Sequence, residues 1–180
     1  MKTQRKLLLV VLIIVLSSTV YAADYDTYTR AVGAQVGQLS SYGLSFHNRL
    51  NSTSAIQTTI GLMYQGNPGY SSYLDYGLGL EYQHTFFADT FDDWLAAHLY
   101  WFIGLNHSAT MGWDASGNTE TPFTPAIGIG GGFGVEPILL GHFSIPVSFG
   151  YRLFFTPTQL QYVDKFDLGF LAQIGIRYRF

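Results

Sequence analysis

The feature that most constrains this chain is an unbroken period-two alternation at its end. From Phe166 to Phe180 the even positions are Phe166, Leu168, Phe170, Ala172, Ile174, Ile176, Tyr178 and Phe180, all apolar. The odd positions are Asp167, Gly169, Leu171, Gln173, Gly175, Arg177 and Arg179, polar or small except for Leu171. Successive side chains of a β-strand point to opposite faces, so this segment is a strand with one apolar and one polar face. Its length exceeds the usual 5 or 6 residues of a globular strand and suits a tilted strand crossing a bilayer, which takes about 9 to 11. Tyr73–Gln83 repeats the pattern, with Leu74, Tyr76, Leu78, Leu80 and Tyr82 set against Asp75, Gly77, Gly79, Glu81 and Gln83.

Six further segments alternate less cleanly: Ala31–Gly37, Ser41–Leu50, Ala55–Gln65, Trp94–Asn106, Phe123–Glu136 and Phe143–Phe155. With the two above they make eight strands, and an even number lets an antiparallel bacterial barrel close. Asn51–Ser54, Phe87–Asp93 and Pro137–His142 read as compact turns at the end that holds both termini. Gln65–Ser72, Asn106–Pro122 and Thr156–Lys165, rich in turn-forming residues, read as outward loops, and the remaining outward connection, Gln38–Ser40, is unusually short. No linker or charge run divides residues 23–180, so they are expected to form one all-β domain, an up-and-down transmembrane β-barrel. Gly128, Gly130, Gly132 and Gly134 fall on its inward phase, where a narrow barrel is crowded.

The start of the chain predicts its route. Lys2, Arg5 and Lys6 precede an apolar run from Leu7 to Leu16, and Val20-Tyr21-Ala22 supplies small residues for cleavage, so residues 1–22 read as a signal peptide. The run is shorter than the roughly 20 apolar residues of a spanning helix. Past Ala22 six basic residues face twelve acidic ones, a net of −6, which excludes a nucleic-acid footprint. There is no cysteine, hence no disulfide framework or thiolate metal site. Aromatics make up 17% of the chain and charged residues only 12%, yet no later apolar run is long enough for a spanning helix. A soluble sandwich would also alternate, but its outer faces should be more polar than these.

Aromatic residues cluster near strand ends. Tyr82, Phe86, Trp94, Phe143, Tyr178 and Phe180 fall toward one rim, and Tyr42, Tyr64, Phe123, Phe155 and Phe166 toward the other, as interfacial girdles do. The Tyr178-Arg179-Phe180 ending, with apolar residues at alternate positions behind it, resembles the C-terminal assembly signal of Gram-negative-type outer-membrane barrels. The chain from residue 23 onward looks like the small eight-stranded barrels of the OmpA transmembrane-domain and OmpX type. That resemblance implies an outer-membrane location, contact with outer-membrane lipid, and recognition of Ile176, Tyr178 and Phe180 by the barrel-assembly machinery.

Three classes of function are compatible with this reading. A structural or surface-interacting barrel without enzymatic activity would meet external partners through 106–122 and 156–165, with Met111 and Trp113 as contact residues. An outer-membrane lipid-modifying enzyme would resemble the lipid A deacylases, whose His and Ser lie together on the outer wall. Here His107 and Ser108 are adjacent in a strand and should face opposite ways. A narrow channel or carrier of a small hydrophobic ligand would use the inward face of strand five, Trp94, His98, Tyr100 and Phe102, although an eight-stranded barrel is filled by side chains. The histidines His47, His84, His98, His107 and His142 show no ligand spacing, so neither metal nor other cofactor is expected. Glu81, His98, Glu136, Arg152, Asp167 and Arg177 share the inward phase. Symmetric hairpins place Arg152 opposite Asp167 and Glu81 opposite His98, with Arg177 drawn toward Glu81 or Glu136.

Overall fold

The computed structural model describes residues 28–66, 71–157 and 165–180. The expected signal peptide at 1–22 lies outside them. The described residues form nine strands: β1 (Arg30–Gly37), β2 (Ser41–Arg49), β3 (Ser54–Gln65), β4 (Ser72–Asp92), β5 (Leu95–Trp113), β6 (Thr119–Leu139), β7 (Phe143–Ser144), β8 (Val147–Phe155) and β9 (Phe166–Arg179). Every pairing is antiparallel, and β1 pairs with both β2 and β9, so the sheet closes on itself. β7 and β8 are two pieces of one stave, interrupted at Ile145-Pro146, because both pair with β6 on one side and β9 on the other. A ring of eight up-and-down staves results, with strands and faces as the alternation predicts.

The outward phase is the apolar one. Leu44, Ile56, Ile60, Leu78, Leu80, Ile103, Leu105, Ile129, Phe149, Phe170, Ile174 and Ile176 are all exposed, and they run round the whole ring. A soluble monomer does not expose such a belt; facing hydrocarbon, it is the favourable arrangement. The barrel is therefore a transmembrane one, and its closure removes the unpaired edges that a bilayer would penalise.

Strand lengths depart from the reading of the sequence. β4 reaches Asp92, so the turn read at Phe87–Asp93 contracts to Asp93-Trp94, and the irregularities at Thr85/Phe87 and Thr90/Asp92 alter the register of the hairpin. The expected loop Asn106–Pro122 is mostly ladder: β5 continues to Trp113 and β6 starts at Thr119, leaving 114–118 as the turn. Its Thr, Asn and Gly residues carry no apolar alternation because both faces of a strand are wet beyond the membrane, while backbone pairing persists. The turn before β7 is likewise shorter than Pro137–His142, since β6 runs to Leu139. Residues 158–164 of the loop read at Thr156–Lys165 lie outside the described residues.

Candidate functional site

The barrel interior holds the polar residues the sequence singled out. Its upper part is closed by the short first turn, which bends into the lumen. Leu39 is completely buried and clusters with Tyr100, Phe102 and Leu171. Leu171, the one apolar residue of its phase, thus meets an apolar partner. Leu39 fits because Gly104 and Gly130 lack side chains: a Cβ at either would lie about 3 Å from its methyl group. Asn106 Nδ2 donates to the Leu39 carbonyl at 2.9 Å, and the Ser40 amide donates to Gln173 Oε1 at 2.6 Å, so the inward turn keeps its polar groups paired.

Below that turn a chain of hydrogen bonds runs the length of the lumen. Gln173 Nε2 donates to Glu81 Oε1 at 2.8 Å and to Ser148 Oγ at 3.2 Å. Gln83 Nε2 bridges Glu81 and Gln57, at 3.2 and 3.0 Å. Gln57 donates to Gln35 at 2.5 Å. Arg177, whose side chain is 0% exposed, donates to Gln57, to Gln35 and, as an ion pair at 3.2 Å, to Glu136. Ser144 Oγ donates to the same Glu136 oxygen at 2.6 Å. Burial of a single charge here would be prohibitive; the ion pair and the hydrogen bonds from both terminal nitrogens of Arg177 make it tolerable, although its Nε is left without a partner.

Each residue named from the sequence can now be placed. Glu81, His98, Glu136 and Arg177 are buried together in the lumen. Arg177 reaches Glu136 directly and Glu81 only through the glutamines. Glu81 does not face His98: it is opposite Gly104, while His98 is opposite Ala88 on β4 and Glu136 on β6. The later, tighter turn moved that register, and the β4 irregularities took back part of the shift. Arg152 and Asp167 form an ion pair at 2.7 Å, but diagonally, since Arg152 is opposite Gly169 and Asp167 opposite Phe154. Asp167 is largely exposed, so this pair lies at the outer mouth and not in the packed core. Met111 and Trp113 stand on β5, not in a loop, and both are half-buried. Trp94 lies in the β4–β5 turn, half exposed, and does not share the inward face of His98, Tyr100 and Phe102. Ile176, Tyr178 and Phe180 face outward, and the Phe180 amide donates to the Arg30 carbonyl across the closing seam.

Sequence reasoning missed the four glutamines and Leu39. Gln35, Gln57, Gln83 and Gln173 are uncharged, yet each sits on the inward phase and can donate and accept at once, which joins separated charges. Among the described residues no group of acidic or histidine side chains could hold a metal. The cavity bordered by His47, Arg49, Gln83, His98 and Arg179 measures about 10 Å³, no more than one water molecule needs. On the wall, His107 Nδ1 lies 3.1 Å from the Tyr76 hydroxyl on the outer face, whereas Ser108 sits opposite Gly77 on the inner phase.

No family model and no curated protein matches the chain. Solved structures do. The N-terminal β-barrel domain of OprF from Pseudomonas aeruginosa aligns with a TM-score of 0.53 and 12% identity, over 84% of this chain and 96% of that one. Ail, the attachment invasion locus protein of Yersinia pestis, solved with the heparin analogue sucrose octasulfate, gives 0.46 and 13%, over 84% and 96%. Neisserial surface protein A gives 0.45 and 18%, over 84% and 94%. The likeness to the OprF domain agrees with the strand order found here: the fold is that of the small eight-stranded outer-membrane β-barrels, the OmpA transmembrane-domain and OmpX type.

Proposed function

We propose that this chain is an integral outer-membrane protein with a closed lumen and a structural or surface-interacting role, and that it is not an enzyme. The observation that carries this reading is the continuous filling of the interior, from Leu39 under the outer mouth through the glutamine chain to Arg177 and Glu136. A pore would need that chain to open along its whole length. Residues 1–22 act as a cleaved signal, and the terminal residues Ile176, Tyr178 and Phe180 are read by the barrel-assembly machinery. External partners meet the tip of the β5–β6 hairpin, with Met111 and Trp113 on its flank, and residues 156–165.

Reconstitution into planar bilayers tests the closed lumen. The protein should be electrically silent, and a steady ohmic current in every insertion would overturn the proposal. The separation of His107 and Ser108 on opposite faces of β5 supports the absence of lipid-modifying chemistry, which mass spectrometry of lipid A with and without the protein checks. Replacing 114–118 with a two-residue turn should spare folding and remove external binding.

A further inference from the structure

The barrel wall is not equally tall all round. β1 ends at Gly37, opposite Gln173, whereas β9 continues outward for seven more residues to Phe166. Over that stretch β9 is paired with β8 alone among the described residues. Several backbone hydrogen bonds fix which way its peptide groups point. The amides of Gly175 and Arg179 donate to Pro146 and His142, toward β7 and β8, and that of Phe180 donates to Arg30, toward β1. The amide of Ala172 donates at 2.8 Å to the Gln38 side chain, which reaches past the end of β1 to meet it. N–H and C=O of alternate residues in a strand share a side. Phe170 and Leu168 therefore direct their peptide groups into the notch above β1, where no strand among the described residues receives them.

Those groups lie below the aromatic pair Phe155 and Phe166 that closes the outer rim of the same hairpin, and their side chains are among the most lipid-exposed of the belt. Two and four residues inside that girdle, they sit at the border of the hydrocarbon and the lipid ester region, where water is scarce and an unsatisfied peptide donor is costly. Directly beneath the notch is a mainly apolar groove of about 440 Å³, lined by Val36, Gly37, Val147, Phe149, Ala172 and Ile174, with Gln38 and Gln173 as its polar members. Gly37 and Ala172 are the small residues of its lining, and exposed Val36, Phe149 and Ile174 join it to the apolar belt.

The geometry points to a fixed lipid site here: an acyl chain of one membrane lipid lies in the groove, and oxygens of its ester and phosphate region accept hydrogen bonds from the Phe170 and Leu168 amides. A detached phosphate would leave the groove empty, and a peptide strand would pair with the edge but not fill the groove. A membrane lipid answers both, and it is the molecule in contact with this face at all times.

The test uses the protein extracted from its membrane in mild detergent, with bound lipids counted by native mass spectrometry. The wild type and a control on another face, Ile127→Trp, should each retain one lipid through delipidation. Ala172→Trp, which fills the groove from the outward side, should lower that occupancy about tenfold, as expected when two or so methylenes lose their seat. Amide exchange gives the second readout: in phospholipid nanodiscs the Leu168 and Phe170 amides should exchange more slowly than in maltoside micelles, and Ala172→Trp should abolish the difference. Each variant is first checked for heat-modifiable gel mobility; if Ala172→Trp fails, Val36→Trp on the other wall replaces it. Equal lipid loss from wild type and groove variant, unchanged exchange, or a bound peptide in place of lipid would each overturn the assignment.

Discussion

Arg177→Met tests how the lumen is held together. The side chain is fully shielded and donates to Glu136, Gln57 and Gln35. Methionine nearly keeps the volume, so packing changes little and the loss is electrostatic. What remains is the buried Glu136 carboxylate, which still accepts from Ser144 Oγ at 2.6 Å and keeps His98 opposite it on β5. Removing one member of a buried ion pair typically costs about 3 to 5 kcal/mol, because the other charge is left uncompensated. Glu136→Gln should cost less, about 1 to 3 kcal/mol, since a glutamine oxygen can still accept from Arg177 and Ser144. Combining the two removes both charges, so the double variant should be destabilised by less than the sum, with a coupling of about 2 kcal/mol or more. The assay is urea unfolding of the barrel in lipid bilayers, read by the mobility of unboiled samples on gels. Additivity within about 0.5 kcal/mol would show that the two charges do not sense each other and that this ion pair does not hold the lumen together.

Other perturbations have distinct readouts. Leu39→Ala removes the centre of the apolar cluster under the mouth and should lower unfolding free energy by about 2 to 5 kcal/mol, measured in the same assay; a loss below 0.5 would mean the turn does not seat in the lumen. Gly132→Ala would place a Cβ 2.0 Å from the Phe149 carbonyl oxygen, so refolding yield should collapse, whereas Gly117→Ala in the β5–β6 turn meets no neighbour and, through its positive φ alone, should cost about 1 kcal/mol. The Asp114 carboxylate accepts from the side chain and amide of Asn118 and from the Ser116 amide, and this holds its pKa below the ordinary aspartate value. A lowered folded-state pKa means the turn gains order above the ordinary value and loses it as pH falls through the lower one, so Ser116 and Asn118 amide shifts should move only in strong acid and stay flat in Asp114→Ala. Deleting Phe180 should reduce outer-membrane levels in cells far more than refolding in detergent; equal losses would assign the residue to stability and not to recognition.

How much of this was legible beforehand depends on whether a feature is local. Which face a residue takes is settled by its parity along one strand, and for that reason Glu81, His98, Glu136 and Arg177 could be assigned to the interior from the sequence. The apolar belt, the eight staves and the common end of both termini follow from the same local rule. The four glutamines were equally readable by parity, but nothing in an uncharged polar residue marks it as a bridge until its neighbours are known. Strand ends were harder. In the outer parts of β5 and β6 no apolar face exists to leave a pattern, so ladder residues there resemble loop residues.

Pairing belongs to the closed ring. A residue's cross-strand partner depends on where the turn falls and on every irregularity before it: the turn at Asp93-Trp94 carries Glu81 past His98, and the two bulges in β4 take back only part of that shift, leaving Glu81 opposite Gly104. The same holds for the first turn. Its brevity is visible in the sequence, but only the closed barrel supplies the space over Gly104 and Gly130 into which Leu39 folds. Alternation thus determines what faces inward through short-range backbone geometry. Ring closure decides which inward groups meet, because a narrow lumen brings together side chains from strands far apart in the chain.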